Sequence, residues 1–341
     1  MKYRAIFAGI IVSIFFLHGN PTHQNDFPEL KGPYLGQEPP GKTPEYFAPG
    51  IVTTRYHEHS APAISPDGKW IFWSVFLAPL QTEAPQVILY SKQVNGHWSK
   101  PEVAPFSGQY MEGGPCFSSD GQKLFFGSCR PLNGKDKPKD WDIWYVNKTL
   151  DGWSSPVNLG HPLNSEKDEG QPSITQEGTL YFISENEDYK YNLCISRSRY
   201  VNGKYEAPQV LAEPINLKGT YAWCPYIAPD ESYLLFCSER KDDLGLGDIY
   251  ISHRRTDDTW SEPTNLGEPI CSKNQDRFPG ISPDGKVLFF TSKRKSFGSY
   301  YEKTQSLDAL RNLYSKPGNG LEDIYWVETK IIDDLKPKEL K

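Results

Sequence analysis

Short apolar segments separated by turn-forming residues run through most of the chain. In "APAISPDGKWIFWS", which begins at Ala61, the run "WIFW" predicts a buried strand. The Pro-Asp-Gly core ahead of it predicts a tight turn, because Pro presets φ, Asp bonds the following backbone and Gly accepts a positive φ. Similar segments recur at intervals of 53, 57, 53 and 54 residues, anchored on Pro62, Pro115, Pro172, Pro225 and Pro279. A fixed period of this size indicates a repeat architecture.

Each copy continues with the same two further elements. A third apolar segment follows ("VILYSK", "DIWYVN", "NLCISR", "DIYISH" and "DIYWVE"), then a turn and a weaker fourth strand such as "SEPTNLGEPICS". Four antiparallel strands in about 50 residues predict one blade of a β-propeller, which buries its faces against its neighbours. An aromatic residue recurs after the third strand, and we expect this set to pack between blades: Trp98, Trp153, Tyr205 and Trp260.

The two ends of the repeat region complement each other. The last copy stops after "DIYWVETK" and has no fourth strand downstream, whereas "KTPEYFAPGIVTT" at residues 42–54 matches the fourth-strand pattern. We therefore predict that an N-terminal strand completes the final blade and closes a ring of five. Six blades, the alternative, would need one more unit of about 40 to 50 residues. The predicted organisation is an all-β propeller over residues 42–332, preceded by an extended segment at 20–41 and followed by a tail at 333–341.

The "SPDGK" hairpins, the "S-x-R" that ends the second strand and the "DIY" that opens the third resemble the TolB-type, WD-like propeller repeats of bacterial envelope proteins. The resemblance covers residues 44–327. It implies a propeller whose blades serve, in different relatives, binding proteins, protease-associated domains or polysaccharide-degrading enzymes. The resemblance therefore predicts the fold and leaves several function classes open.

The first residues have the pattern of an export signal. Lys2 and Arg4 precede an apolar run at residues 5–17, which is short for a membrane span of about 20 residues. We predict a signal peptide at 1–19, no transmembrane span after its removal, and a periplasmic or extracellular protein. The net charge of -6 argues against nucleic acid. The expected partner is an envelope protein or a glycan, and the expected state is a monomer.

Six cysteines in an exported chain permit disulfides at low density. Cys224 and Cys237 lie on the two arms of one predicted hairpin, so a bridge between them is one interpretation and buried thiols are the other. The chain has no CxxC pair with zinc-site spacing.

A set of acidic residues recurs at the start of the predicted first strands. The positions three residues before the anchoring prolines are His59, Glu112, Glu169, Ala222 and Asp276, and Glu58 and Asp168 come directly before two of them. Equivalent positions on five blades point toward one axis, so we expect an acidic collar at the channel mouth. Carboxylates there could hold a Ca²⁺ ion, bind a cationic ligand or perform acid/base chemistry on a sugar. They could equally cap loops by accepting hydrogen bonds from backbone N–H groups.

The candidate catalytic residues are therefore Glu58, Glu112, Glu169 and Asp276. The candidate ligand-binding set adds the neighbouring positions His57, His59, Asp168, Tyr221 and Trp223.

The stretch "RYHEHSAP" is the sharpest local signal. On an extended segment His57 and His59 face the same way, so they could share a divalent metal ion or a substrate oxygen. The sequence identifies no third ligand, and a hydrogen-bonding pair is the alternative.

Three arginines follow second strands and three aspartates open third strands: Arg130, Arg240, Arg294, Asp142, Asp248 and Asp323. A structural bridge within each blade is one interpretation, and an arginine ring for an acidic glycan is the other. The links at 130–141 and 295–322 are long, and the second contains a possible helical turn at "SLDALRNLY". Its Tyr300, Tyr301 and Tyr314 could cover a bound ligand.

The preferred function is a binding or interaction module with its ligand on the channel-mouth face. A carbohydrate-active hydrolase or lyase is the alternative.

Overall fold

The computed structural model describes residues 27–77, 85–133, 140–298, 305–333 and 335. Five four-stranded antiparallel sheets form a five-bladed β-propeller, as predicted. The predicted signal peptide, Tyr300, Tyr301 and most of the 333–341 tail lie outside the described residues. Within them, no helix is long and apolar enough to cross a membrane.

The strands of each blade are given from the channel outward. Blade 1 contains His57–Glu58 with Ala63–Ile64, then Trp70–Phe76, Gln86–Val94 and Glu102–Val103. Blade 2 contains Glu112–Phe117, Lys123–Ser128, Asp142–Asn147 and Val157–Asn158. Blade 3 contains Glu169–Ile174, Leu180–Glu185, Leu193–Ser198 and Gln209–Val210. Blade 4 contains Ala222–Ile227, Tyr233–Ser238, Asp248–His253 and Thr264–Asn265. Blade 5 contains Asp276–Ile281, Val287–Ser292, Asp323–Glu328 and Glu45–Tyr46.

The remaining elements are short. The strand His97–Trp98 pairs with the third strand of blade 1, and Tyr200–Val201 pairs with Lys204–Tyr205. The α-helices are Leu307–Tyr314 and Lys330–Asp333, and the 3-10 helices are Tyr34–Gly36 and Lys190–Asn192. The first α-helix coincides with the predicted helical turn, and Ser306 caps it by accepting a hydrogen bond from the Ala309 N–H.

The ring closes as predicted. Glu45 and Tyr46 pair with Trp326 and Tyr325, so the N-terminal strand is the outermost strand of blade 5. Phe47, which follows it, is fully buried, and its ring lies 5.1 Å from that of Trp326. The closure is therefore stabilised by apolar packing as well as by ladder hydrogen bonds.

The core lies between blades, where the recurring aromatic residues pack. Trp153 of blade 2 packs edge-on against Trp70 of blade 1 at 5.7 Å, and Trp260 of blade 4 meets Tyr181 of blade 3 at 6.3 Å. Trp98 is buried in a cluster that includes Phe289 of blade 5. These contacts confirm the predicted inter-blade role of the three tryptophans, and Tyr205 packs against a cluster that contains Phe125 of blade 2 and Leu180 of blade 3.

The innermost strands of blades 2 to 5 share a β-bulge just before the anchoring proline. The bulge residues have left-handed φ angles of 61° at Gly114, 50° at Gln171, 52° at Cys224 and 50° at Phe278. A bulge bends the strand and redirects side chains, here toward the axis.

Blade 1 differs because its innermost strand carries one more residue before the proline. Glu58 pairs with Val75 and Ala63 with Phe72, whereas Glu112 pairs with Ser128 and Cys116 with Phe125. Glu58, and not His59, therefore occupies the position equivalent to Glu112. Alignment on the prolines misplaces this position because the extra residue lies between Glu58 and Pro62.

Candidate functional site

The acidic side chains predicted to form a collar are buried at the starts of the first strands, and each accepts hydrogen bonds from a loop just ahead of it. Ser165 donates its backbone N–H to Glu169 Oε2 at 2.9 Å and its hydroxyl to Oε1 at 2.6 Å. The same arrangement joins Thr54 to Glu58, Ser107 and Gly108 to Glu112, and Ser272 to Asp276. These contacts are those of the loop-capping interpretation. Asp168 likewise accepts a hydrogen bond from the Trp141 N–H at 2.8 Å.

Burial raises the pKa of three of these acids. It raises the pKa of Glu169 to about 7, although the Ser165 hydrogen bonds oppose the change. Burial also raises the pKa of Glu58 well above its ordinary value, and raises that of Glu112 against the opposing effects of Ser107 and Arg130. Glu58, Glu112 and Glu169 are therefore acids whose charged forms are disfavoured by burial.

The recurring arginines tie the end of the second strand to the loop and first strand of the same blade. The guanidinium of Arg130 donates to Glu112 at 2.9 Å and that of Arg294 to Asp276 at 2.9 Å. Arg240, in the blade whose collar position is Ala222, donates to the backbone carbonyls of Pro214 and Ile215. These contacts are structural, but they differ from the predicted bridge to the third-strand aspartates, because Arg130 and Arg294 reach collar acids and Arg240 reaches the incoming loop. Asp323 instead accepts from the Gly318 N–H.

A second group of polar side chains lies where blade 5 meets blade 1, and we call it the polar cluster: His57, His59, Gln86, Arg277 and Glu322. The carboxylate of Glu322 is 1 % exposed, and it lies 3.2 Å from His57 Nε2 and 2.9 Å from Arg277 Nε. Arg277 Nη2 lies 3.3 Å from His59 Nε2, and Gln86 Nε2 lies 3.3 Å from His59 Nδ1. Gln86 and Glu322 stand at the ends of the links 77–85 and 295–322. The cluster is thus at the base of two long connections.

The charges in the polar cluster depend on one another. Burial alone would raise the pKa of Glu322, but Arg277, His57 and His59 outweigh it and hold that pKa below its usual range. Burial would lower the pKa of Arg277, but Glu322 reverses the shift. Burial, helped by Arg277 and His57, lowers the pKa of His59 to about 3, so this imidazole is neutral at pH 7. The cluster therefore contains one buried ion pair and a neutral imidazole.

Aromatic side chains from blades 3 and 4 continue the same face, and we call them the aromatic platform: Tyr191, Tyr221 and Trp223. The Tyr191 ring lies 5.6 Å from that of Tyr221 and 5.7 Å from that of Trp223. Tyr191 is 58 % exposed and has a left-handed φ of 58°. The guanidinium of Arg277 lies 5.9 Å from the Trp223 ring. Trp223 therefore joins the aromatic platform to the polar cluster, whose side chains other than His59 are buried.

The central channel contains a cavity of about 670 Å³ at the other end of the inner strands. Its walls include the anchoring prolines and residues of the Pro-Asp-Gly turns: Pro62, Pro115, Pro172, Pro225, Pro279, Asp120 and Pro283. Phe278 stands between the two regions, because it lines this cavity and its ring lies 4.7 Å from that of His59.

The structure brings some predicted residues together and adds others. The rings of His57 and His59 are neighbours with centroids 5.2 Å apart, as their alternation predicted, and Tyr221 and Trp223 lie in the platform. Sequence reasoning missed Glu322 and Arg277. The available signals were weak: Glu322 directly precedes a "DIY" strand, and Arg277 directly follows a collar acid.

The six cysteines are free thiols in the structure. Cys224 and Cys237 lie together in a small cluster with Phe278, unbridged. Of the tyrosines in the long link of blade 5, Tyr314 is 52 % exposed and packs against Phe297 at 5.5 Å.

No protein-family model and no curated protein matches the sequence. Among solved structures, TolB from Acinetobacter baumannii is 16% identical with a TM-score of 0.45, over 69% of this chain and 48% of that one, so this chain spans about half of TolB. An alpha-L-arabinofuranosidase from Lactobacillus brevis is 13% identical with a TM-score of 0.45, over 81% of this chain and 91% of the arabinofuranosidase. An endo-arabinase from Bacteroides thetaiotaomicron VPI-5482 is 14% identical with a TM-score of 0.46, over 75% of this chain and 99% of the arabinase.

Proposed function

We propose that this protein is an exported propeller that binds a saccharide on the face formed by the aromatic platform and the polar cluster. The observation that carries the proposal is the exposed Tyr191 ring held beside Trp223, which in turn contacts the buried Arg277. Export rests on the predicted signal peptide and on the resemblance of the repeats to those of TolB-type envelope proteins.

The chemistry of this face suits a sugar. Sugars present apolar C–H faces and polar hydroxyls, so their sites combine aromatic rings with a few fixed hydrogen-bonding groups. Tyr191 and Trp223 supply ring faces, while the half-buried Lys190, paired with Glu239, lies 5.0 Å from the Tyr191 ring centroid. On the other side, Lys293 is 33% exposed and lies 3.9 Å from Glu322. The rings provide stacking surfaces for the C–H faces of a sugar, and the two lysines, each held beside a glutamate, provide hydrogen-bond donors for its hydroxyls.

Backbone strain at the platform supports a binding role. Tyr191 and Asn192 have φ angles of 58° and 57°, a region that costs about 1–3 kcal/mol for each non-glycine residue. Such conformations persist where the surroundings hold them and are concentrated at ligand sites. Here the strained turn is the segment that presents the exposed ring.

A carbohydrate-active hydrolase or lyase is the competing function. The collar acids give it little support, because Glu58, Glu112, Glu169 and Asp276 each accept hydrogen bonds from their own loop. Glycosidases need two carboxyl groups that flank a bound sugar at about 5 to 9 Å from each other.

The test is a screen of oligosaccharides against the full chain, with binding by calorimetry and product formation by chromatography. We expect saturable binding without product, and a loss of affinity of about tenfold or more in Tyr191→Ala and Trp223→Ala. Tyr200→Ala is the matched control, because Tyr200 is a 47 % exposed tyrosine of blade 3 on a separate hairpin. Equal affinity in Tyr191→Ala and the wild type would contradict the proposed face. Product formation by the wild type would establish the enzyme instead.

A further inference from the structure

We infer that His57, His59 and Glu322 form a binding site for a divalent transition-metal ion such as Zn²⁺. One nitrogen from each imidazole and one carboxylate oxygen all lie within 4.8 Å of one another. His57 begins the first strand of blade 1 and His59 directly follows that strand, whereas the glutamate comes from the end of the long link in blade 5. The site therefore forms only when the ring is closed between these two blades.

The environment of His57 carries this inference. Its side chain is 1% exposed, and within the described part of the chain neither ring nitrogen makes a hydrogen bond, although Nε2 lies 3.2 Å from Glu322 Oε2. A buried imidazole whose Nδ1 has no partner and whose Nε2 faces only the Glu322 carboxylate is costly and calls for an explanation. Two ligands at about 2.0–2.1 Å from one tetrahedral Zn²⁺ ion lie about 3.3 Å apart. The 3.2 Å separation, which is also that of an ion pair, therefore allows both atoms to bind one ion without rearrangement.

The neighbours of the three ligands would orient them. Arg277 Nε donates to Oε1 of Glu322 at 2.9 Å, which leaves Oε2 facing His57. The Gln86 amide lies 3.3 Å from Nδ1 of His59, and with its oxygen turned toward this atom it would accept the Nδ1–H and leave Nε2 for the ion. Outer contacts of this kind hold ligating imidazoles and carboxylates in place at metal sites. On binding, the ion would replace the contact of His59 Nε2 with Arg277 Nη2, and Arg277 would keep Glu322.

The ligand set selects the class of metal. Two imidazoles and one carboxylate suit Zn²⁺, Mn²⁺ or Fe²⁺, whereas Ca²⁺ takes six to eight oxygen ligands. Only one ligand carries a negative charge, and Arg277 and Lys293 lie close to it, so we expect weaker binding than at a closed structural zinc site. His59 is partly exposed, which gives the ion access and leaves open coordination positions.

The experiment uses the full chain stripped with EDTA and titrated with Zn²⁺ alone, with no saccharide present. We expect one ion per chain by calorimetry, a melting temperature that rises with Zn²⁺ and returns with chelator, and a loss of affinity of tenfold or more in His59→Ala and Glu322→Gln. His97→Ala is the matched control, because His97 also lies beside a glutamate, 2.8 Å from Glu29, but at the surface. It should bind like the wild type.

Glu322→Gln leaves the buried Arg277 without its anion and so destabilises the fold, and His59→Ala, which keeps the Glu322–Arg277 pair, is therefore the decisive variant. Absence of saturable binding to the wild type would overturn the inference. So would binding that His59→Ala leaves unchanged. Neither result would bear on the saccharide proposal, which is tested through Tyr191 and Trp223.

Discussion

The buried carboxyl group of Glu169 makes a sharp prediction about stability and pH. Its pKa is raised from 4.5 to about 7, by burial first and then by the charges of Asp142 and Asp140. The folded state therefore holds this proton more tightly than the unfolded state. Its contribution to stability is complete below about pH 4.5 and is lost as the pH rises toward about 7.

The substitution Glu169→Gln removes this loss. The glutamine oxygen can accept the hydrogen bond of the Ser165 N–H, and its NH₂ group can donate to the Ser165 hydroxyl, so both contacts of the protonated acid are kept. A difference of about 2.5 pKa units corresponds to about 3 kcal/mol between the two protonation states. Allowing for solvent near the loop, we expect the variant to gain about 1 to 2.5 kcal/mol relative to the wild type between pH 5 and pH 8.

The assay unfolds both proteins with urea at pH 5 and at pH 8. The result is how much the difference between their free energies of unfolding changes from one pH to the other. Glu177→Gln is the control, because Glu177 is an exposed carboxylate of the same blade and should show no such change. A relative stability of Glu169→Gln that is the same at both pH values would refute the argument that this acid is protonated in the folded state. Loss of saccharide binding in this variant would show that Glu169 takes part in ligand binding.

Two further substitutions test packing. Trp260→Ala should lower the free energy of unfolding by about 3–5 kcal/mol in chemical denaturation, because the ring is buried between blades 3 and 4. Its control is Leu150→Ala, at a fully exposed side chain, which should leave the free energy of unfolding unchanged. Gly113→Ala should lower the melting temperature, at a cost of about 1–3 kcal/mol, because a Cβ there would clash with the Gln86 amide. Gly41→Ala, where a Cβ meets open space, is its control, and equal melting of these two glycine variants would show that Gln86 moves freely.

The architecture could be predicted from the sequence because its determinants are local and repeated. Each Pro-Asp-Gly turn and apolar run specifies one hairpin. The missing fourth strand of the last copy predicts that the segment 42–54 pairs with the last strand, and the structure shows this pairing with Glu45 opposite Trp326. The alternation of His57 and His59 likewise predicts a shared face. Glu322 could not be predicted, because it reaches these histidines only when the ring closes. The true collar position, Glu58, was hidden by one extra residue in the first strand of blade 1.

The positions that follow the collar show how a symmetric ring acquires a site. In blades 1 to 5 these positions are His59, Gly113, Gly170, Trp223 and Arg277. What recurs in most blades, such as the capped acid, the arginine behind it and the bulge, is explained by the needs of the fold. The side chains directly after the collar positions are not explained by the needs of the fold. This position holds a histidine, an arginine and a tryptophan in three neighbouring blades, and glycine in the other two. Because the scaffold does not require these three side chains, their contacts across blades 4, 5 and 1 support the proposed saccharide face, which the exposed Tyr191 ring first indicates.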